Sequence, residues 1–122
     1  MNQATAHLKT YRQSPRKVRL IADAVRGKKV EDAITALSFI PKRSAEPVQK
    51  LIASALANAK VLSIPTENLI IKKITVDAGS ILYRRRPRSH GMSNPIRKRT
   101  SHVSVVLAPH ASPKAMQGKA KK

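Results

Sequence analysis

Residues 83–102 read YRRRPRSHGMSNPIRKRTSH, and this stretch decides how the whole chain is arranged. It contains seven Arg or Lys residues and no acid. Most of it belongs to a connection, residues 78–100, between two segments typical of β-strands, LIIKKITVD (69–77) and SHVSVVLA (101–108). Connections between strands usually have about two to five residues, so a connection of this length needs its own explanation.

Two interpretations of this connection remain open on the sequence alone. Pro87, Gly91 and Pro95 favour an irregular loop. Ile96 and the apolar residues 81–83 favour a β-hairpin whose strands continue past the core and turn near SHGMSN. Each arm of such a hairpin would have roughly 12 residues, which at ~3.3 Å per residue projects about 40 Å. Because a hairpin without a core of its own is marginal in water, it would need a partner.

The charge pattern indicates what kind of partner this is. The formal net charge is +19, and such self-repulsion lowers stability unless a polyanion screens it. Residues 78–122 carry +11 with no acid, whereas residues 1–77 carry +8 and contain all six acids. Six of the seven basic residues in the connection are arginines, whose forked guanidinium groups bind phosphate at two points. The sequence therefore predicts a nucleic-acid partner.

The rest of the chain predicts a small α+β unit. Only Tyr11, Phe39 and Tyr83 are aromatic, so the core must consist of Ala, Val, Ile and Leu. Residues 4–12 alternate as a strand does, with Tyr11 expected on the same face as His7 and Lys9. Three helices are predicted at 15–26, 30–40 and 44–62, the first opened by Ser14 as a capping residue and stopped by Gly27. Their expected core stripes are Val18, Ile21, Ala22 and Val25; Ala33, Ile34 and Leu37; and Val48, Leu51, Ile52, Ala55, Leu56 and Ala59.

Several classes of site are not indicated by the sequence. There is no cysteine, and the four histidines lack metal-ligand spacing, so we predict no metal and no cofactor. No base and acid accompany the serines as a catalytic set would require, so we predict that the protein is not an enzyme. No apolar run approaches the roughly 18 residues of a transmembrane helix, and the N-terminus lacks the apolar core of a signal peptide.

Four segments occur in an order that resembles a known family. They are SPRKVRLIADAVRGKKVEDAITALSF, VQKLIASALANA, ITVDAG and RPRSHG…IRKRTSHVSVVL. In this order and spacing they resemble the bacterial-type large-subunit ribosomal protein twenty-two family over about residues 5–107. The resemblance implies three helices packed on a small three-stranded antiparallel sheet, with a long protruding β-hairpin. We expect one domain, residues 1–108, with the extended hairpin at about 78–102, and a basic tail, 109–122, expected to be disordered.

The resemblance also implies a function and partners. A family member is a structural constituent of the large ribosomal subunit in the cytoplasm, binds ribosomal RNA and assists assembly. Its hairpin lines the nascent-peptide exit tunnel and forms a constriction with ribosomal protein four. The expected partners are therefore ribosomal RNA, neighbouring ribosomal proteins and the nascent polypeptide, with no membrane and no homo-oligomer.

The resemblance and the charge pattern together assign residues to these roles. The expected RNA-binding residues are Arg12, Ser14, Arg16, Lys17, Arg19, Arg84, Arg85, Arg86, Arg88, Arg97, Lys98, Arg99, Thr100, Ser101 and His102. The expected tunnel-lining tip is Arg88, Ser89, His90, Gly91, Met92 and Ser93. The expected neighbours of the macrolide antibiotic region are Leu82, Tyr83 and Arg84.

Alternative functions remain open at this point. For the helix residues Arg16, Lys17 and Arg19, a plain solvated face remains the less favoured alternative to RNA contact. A basic DNA-binding architectural protein would also be cationic and could use a β-arm, although such proteins normally dimerise and no dimer face is indicated. A cationic membrane-active protein is disfavoured because the basic connection lacks an apolar helical face.

Overall fold

The computed structural model describes residues 3–110, which form three α-helices and five β-strands. The α+β class predicted from the sequence is confirmed. The strands form two antiparallel sheets, a three-stranded sheet in the order β1-β5-β2 and a two-stranded sheet of β3 and β4. The elements are β1 Ala4–Tyr11, α1 Pro15–Val25, α2 Val30–Phe39, α3 Ala45–Val61, β2 Leu69–Ala78, β3 Leu82–Pro87, β4 Ser93–Lys98 and β5 Ser101–Pro109.

The three-stranded sheet and the helices share one core. The central strand β5 pairs with both neighbours, so that Val105 lies opposite Ala6 of β1 and Ile74 of β2. Helix α3 packs on β1 and β5, and helix α1 packs on β2. We call this unit, residues 3–78 and 101–110, the body. Its core is aliphatic, as the composition predicts, and Phe39 is 80% exposed.

The predicted helix stripes agree closely with the buried positions. All four residues of the α1 stripe are buried. In α2 and α3 the predicted core residues are buried except Ile34 and Leu56, which are partly buried and pack against the core. Helix α1 ends at Val25, and Gly27 follows with φ of +79°, the left-handed conformation that glycine adopts without strain. Periodicity therefore identified the core-facing side of each helix.

Two local predictions near residues 8–14 were wrong. Between Leu8 and Tyr11 the β1–β5 register shifts, and Thr10 adopts a φ of +56°. This irregularity turns Tyr11 towards the core, against which it packs, whereas His7 and Lys9 remain exposed. Ser14 stands at the start of α1, but its side chain makes no capping hydrogen bond; only its backbone carbonyl accepts, from the N–H groups that begin the helix.

Two arginines of the α1 region protect the outer edge of β2. Arg19 donates from Nε and Nη2 to the carbonyl oxygen of Val76 at 3.2 and 3.1 Å. Arg26 donates from Nη2 to the carbonyl oxygen of Ile74 at 2.9 Å. An unpaired sheet edge is a template for pairing with another strand, so these guanidinium groups have a structural role there.

Candidate nucleic-acid interface

The two-stranded sheet carries the basic connection singled out in the sequence. Strand β3 pairs with β4 from Leu82 opposite Lys98 to Pro87 opposite Ser93. We call this unit, residues 82–98, the arm. Its paired strands have six residues each, fewer than the predicted arms, because residues 79–81 and 99–100 form the junction with the body. Pro95 is tolerated in β4 because a two-stranded sheet leaves one edge of each strand unpaired.

The arm exposes its cations without any carboxylate beside them. The two ion pairs among residues 3–110 are Arg26–Asp23 and Lys50–Glu46, both on the body. The arm arginines make only weak or local contacts, such as Arg85 Nη1 to the Ser93 hydroxyl at 3.4 Å. The exposed basic residues of the arm and its junction are Arg84, Arg85, Arg86, Arg88, Arg97, Lys98 and Arg99. This surface therefore carries positive charge that is not neutralised within the described residues, which favours an external polyanion.

The tip of the arm is a tight turn at the predicted position. The Arg88 N–H donates to the Met92 carbonyl at 2.7 Å, and the Met92 N–H donates to the Ser89 carbonyl at 3.3 Å. His90 and Gly91 both have positive φ, +59° and +69°. All six residues expected at the tip, Arg88 to Ser93, are exposed. The turn therefore presents polar groups outward while adding only one formal charge.

A buried polar junction sets the direction of the arm. Thr100 is 1% exposed, and its hydroxyl donates to the Ser80 carbonyl at 2.6 Å. The Gly79 N–H donates to the Thr100 carbonyl at 2.9 Å. A Cβ atom at Gly79 would lie only 2.4 Å from Thr100 Oγ1, so no larger residue fits without movement. The junction is thus packed as tightly as a core.

The same junction is tied to β1. Ser101 is fully buried, and its hydroxyl donates to the Gln13 carbonyl. His102 is partly exposed, and its Nδ1 accepts from the Thr10 N–H at 2.9 Å. Direct RNA contact, expected for Thr100 and Ser101 from the sequence, does not fit hydroxyl groups that are buried and already bonded. Their role in the structure is to position the arm.

The arm meets the body beside the N-terminus of α1. A cavity of about 440 Å³ there is lined by Ser14, Pro15, Arg16, Arg19, Ala78 and Arg99. An adjoining cavity of about 470 Å³ shares Ser14 and Arg99 with it and is lined also by Arg12, Arg43, Arg97 and Lys98. We call the two cavities together the basic cleft. No acidic side chain is among its lining residues, all of which belong to the described part of the chain.

The basic cleft unites residues that are far apart in the sequence. It brings Arg12, Ser14, Arg16 and Arg19 of the body together with Arg97, Lys98 and Arg99 of the arm and junction. The positive end of the α1 dipole adds positive potential at this end of the helix. Lys17 is exposed but lines neither cavity, and Arg84, Arg85, Arg86 and Arg88 lie farther along the arm.

Sequence reasoning missed one cleft residue. Arg43 lies in the connection between α2 and α3, next to Lys42, and is exposed. Neither periodicity nor a charge run distinguishes it, because only the tertiary packing of α2 and α3 brings that connection beside Arg12. No sequence signal separated Arg43 from other surface cations.

Within residues 3–110, no group of three or more His, Asp or Glu side chains is placed to hold a metal ion. None of the helices described is both long and apolar enough to cross a membrane. Among the described residues, the chemically distinctive surface is the cationic one that the arm and the basic cleft form.

Comparison with known proteins supports the resemblance in the sequence. A model of the family described as ribosomal protein L22p/L17e matches residues 6–108. The chain belongs to this family. Membership makes it a ribosomal protein, of a structural and non-enzymatic kind, as predicted.

Individual members of the L22p/L17e family resemble the chain over nearly their whole length. The large ribosomal subunit protein uL22 of Desulfitobacterium hafniense strain Y51 is 49% identical over 108 residues, 88% of this chain and 95% of that protein. The uL22 protein of Myxococcus xanthus is 46% identical over 109 residues, 87% and 96% of the two chains. That of Geobacter sulfurreducens is 49% identical over 107 residues, with the same coverage. The arm and the body therefore both fall within the shared region.

Proposed function

We propose that this L22p/L17e member binds the ribosomal RNA of the large subunit through the basic cleft and the arm. The observation that carries the proposal is the arm itself, whose exposed arginines have no carboxylate partner among the described residues. A cation that is not neutralised within its own chain releases counterions when it meets phosphate, and this release favours binding. The relatives' name, large ribosomal subunit protein, supports the RNA of that subunit as the partner.

The arrangement of the cations supports a division of labour between anchor and tip. We propose that the arm extends as a long hairpin into the RNA, with Arg84, Arg85 and Arg86 along the outgoing strand as phosphate contacts. Arg88 to Ser93 then form the part of the exit-tunnel wall that the nascent polypeptide passes, beside ribosomal protein four. This tunnel position, and that of Leu82 and Tyr83 near the macrolide region, rests on the family resemblance.

A role in assembly follows from having two cationic surfaces on one chain. The body contributes Arg12, Arg16 and Arg43 to the cleft, and the arm carries its own charges farther out. A protein with this geometry can bind two RNA segments at once and stabilise their relative position. We propose that it acts in this way on the cytoplasmic ribosome, as one domain of residues 1–108 with a basic tail of residues 109–122. Strand β5 extends to Pro109, and the tail lies outside the described residues from residue 111 onwards.

Sedimentation tests this function directly. The tagged protein, expressed in a bacterium, should co-sediment with large subunits and remain there after a moderate salt wash. An arm variant with Arg84, Arg85 and Arg86 changed to Gln should leave the subunit at lower salt. If the protein instead sediments with DNA, or with neither particle, the ribosomal RNA proposal is wrong and the DNA-binding alternative gains support.

A further inference from the structure

Arg43 is the cleft residue that the charge pattern of the sequence did not indicate. Its backbone is fixed by its neighbours, since Ser44 is buried and the Ala45 N–H donates to the Lys42 carbonyl at 3.1 Å. The Val48 N–H donates in turn to the Ser44 carbonyl at 3.3 Å. Arg43 is therefore an exposed guanidinium group on a well-anchored turn, and it lines the same cavity as the arm residues Arg97 and Lys98.

Three separate parts of the chain deliver cations to the same cavity. Arg12 comes from the connection after β1, Arg43 from the connection between α2 and α3, and Arg97, Lys98 and Arg99 from the end of the arm. Five cations around about 470 Å³ repel one another, and no acid lines the cavity to offset this. The repulsion acts between arm and body, so an anion in the cleft would draw the two together.

We propose that one continuous stretch of RNA phosphodiester backbone lies in the basic cleft, bound on one side by Arg43 and on the other by Arg97 to Arg99. This rests on the proposed function and specifies how it is carried out. The RNA strand bridges body and arm, and its binding fixes the arm against the body. A phosphodiester backbone fits better than an acidic peptide because every nucleotide along the strand carries a negative charge. Four of the five cations are also arginines, which bind phosphate through two parallel hydrogen bonds.

The adjacent residue Lys42 provides a matched control. Both residues are exposed in the same connection, and changing either to Gln removes one charge. Lys42, however, lines a different cavity between α2 and α3, with Ile34 and Leu37. The full-length variants Arg43→Gln and Lys42→Gln should unfold at the same temperature as the wild type, because neither side chain is buried. Any difference in RNA affinity between the two variants then measures the contribution of the cleft.

The measurement is the affinity for protein-free large-subunit ribosomal RNA over a series of salt concentrations. We expect Arg43→Gln to reduce the slope of log affinity against log salt by about 0.7–0.9, the value for one phosphate contact. Lys42→Gln should leave the slope unchanged. If the two variants behave alike, Arg43 is not on the path of the RNA and the inference is overturned. If the wild type itself shows no salt-dependent RNA binding, the proposed function fails instead.

A double substitution tests whether one strand is shared. Residues that act independently have multiplicative effects on affinity, whereas residues coupled through one ligand do not. We expect Arg43→Gln with Arg97→Gln to weaken binding less than the product of the two single effects, because either change alone already releases the strand from one wall. A fully multiplicative result would mean separate RNA contacts and would refute the bridge. Equal binding of poly-glutamate, with the same loss in Arg43→Gln, would refute the assignment to RNA.

Discussion

The body and the arm of this protein are stabilised in different ways. The body buries a continuous aliphatic core between three helices and a three-stranded sheet. The arm is a two-stranded sheet in which only Leu82 and Ile96 are even partly buried. A two-stranded hairpin of this kind is marginal by itself in water. The body is therefore specified by its own residues, whereas the proposed function has the arm completed by the RNA that it binds.

The largest expected effect is on the free energy of unfolding, when one isoleucine in each region is shortened to alanine. Ile52 of α3 is fully buried, so Ile52→Ala should lower the free energy of unfolding by about 2–5 kcal/mol. Ile96→Ala in the arm should lower it by less than about 1 kcal/mol, because a half-exposed side chain loses little burial. Urea denaturation followed by circular dichroism measures both. Equal losses would mean that the arm shares the core of the body.

The junction between the two regions should respond less strongly than the core but more than the arm. Gly79→Ala places a methyl group 2.4 Å from Thr100 Oγ1 and 3.1 Å from His102 Nε2, so the junction must move. We expect a loss of about 1–3 kcal/mol, as for other overpacked sites. Gly91→Ala is the control, since nothing lies within 4 Å of its added methyl group. It strains the tip locally but should leave the thermal transition of the body unchanged. A stable Gly79→Ala protein would show that the junction is loosely packed.

The contrast between regions also explains how far the sequence was informative. Helical periodicity identified the α1 stripe because burial of Val18, Ile21 and Ala22 depends on one regular repeat. The sequence also predicted the turn at the tip, because a turn depends on the preferences of a few neighbouring residues. Tyr11 was misplaced because a shift of register within a strand leaves no mark on the pattern of apolar residues.

Features that depend on contacts distant in the chain were not predictable. The hydroxyl of Ser101 bonds to Gln13, and that of Thr100 to Ser80, so their burial is visible only once the strands are paired. In the sequence these two residues look like polar surface groups next to a basic run. Arg43 is the opposite case, an ordinary surface cation that tertiary packing brings to the cleft.

A third prediction concerns charge instead of packing. Changing Arg97, Lys98 and Arg99 together to Gln should not lower the melting temperature, because all three are exposed and unpaired with acids. It should weaken binding to large-subunit RNA and reduce the salt slope by about 2–3 units if each contacts a phosphate. A triple Gln variant at Lys28, Lys29 and Lys72, which line neither cavity of the cleft, is the control. Equal reductions in the two variants would indicate non-specific attraction.

The smallest effect on assembly is expected from shortening the tip. Replacing Arg88 to Met92 with Asn-Gly keeps a hairpin turn of a favoured type and preserves both strands, with Pro87 still opposite Ser93. The deleted segment contributes one formal charge, whereas the basic cleft and the strands of the arm contribute the remaining cations. The salt slope for RNA binding should therefore fall by no more than about 0.7–0.9. Occupancy of the shortened protein in purified large subunits should stay close to that of the wild type.

The matched variant for this last experiment removes anchors and leaves the tip intact. Changing Arg84, Arg85 and Arg86 to Gln takes three exposed charges from β3 without altering the turn. If the strands anchor and the tip presents its surface, this variant should lose occupancy while the shortened one does not. Chemical probing of the tunnel RNA should show the reverse order, with the larger change for the shortened tip. Loss of incorporation on shortening, restored by adding arginines to the new turn, would show that the tip is itself an anchor, because only charge at that position would then explain the binding.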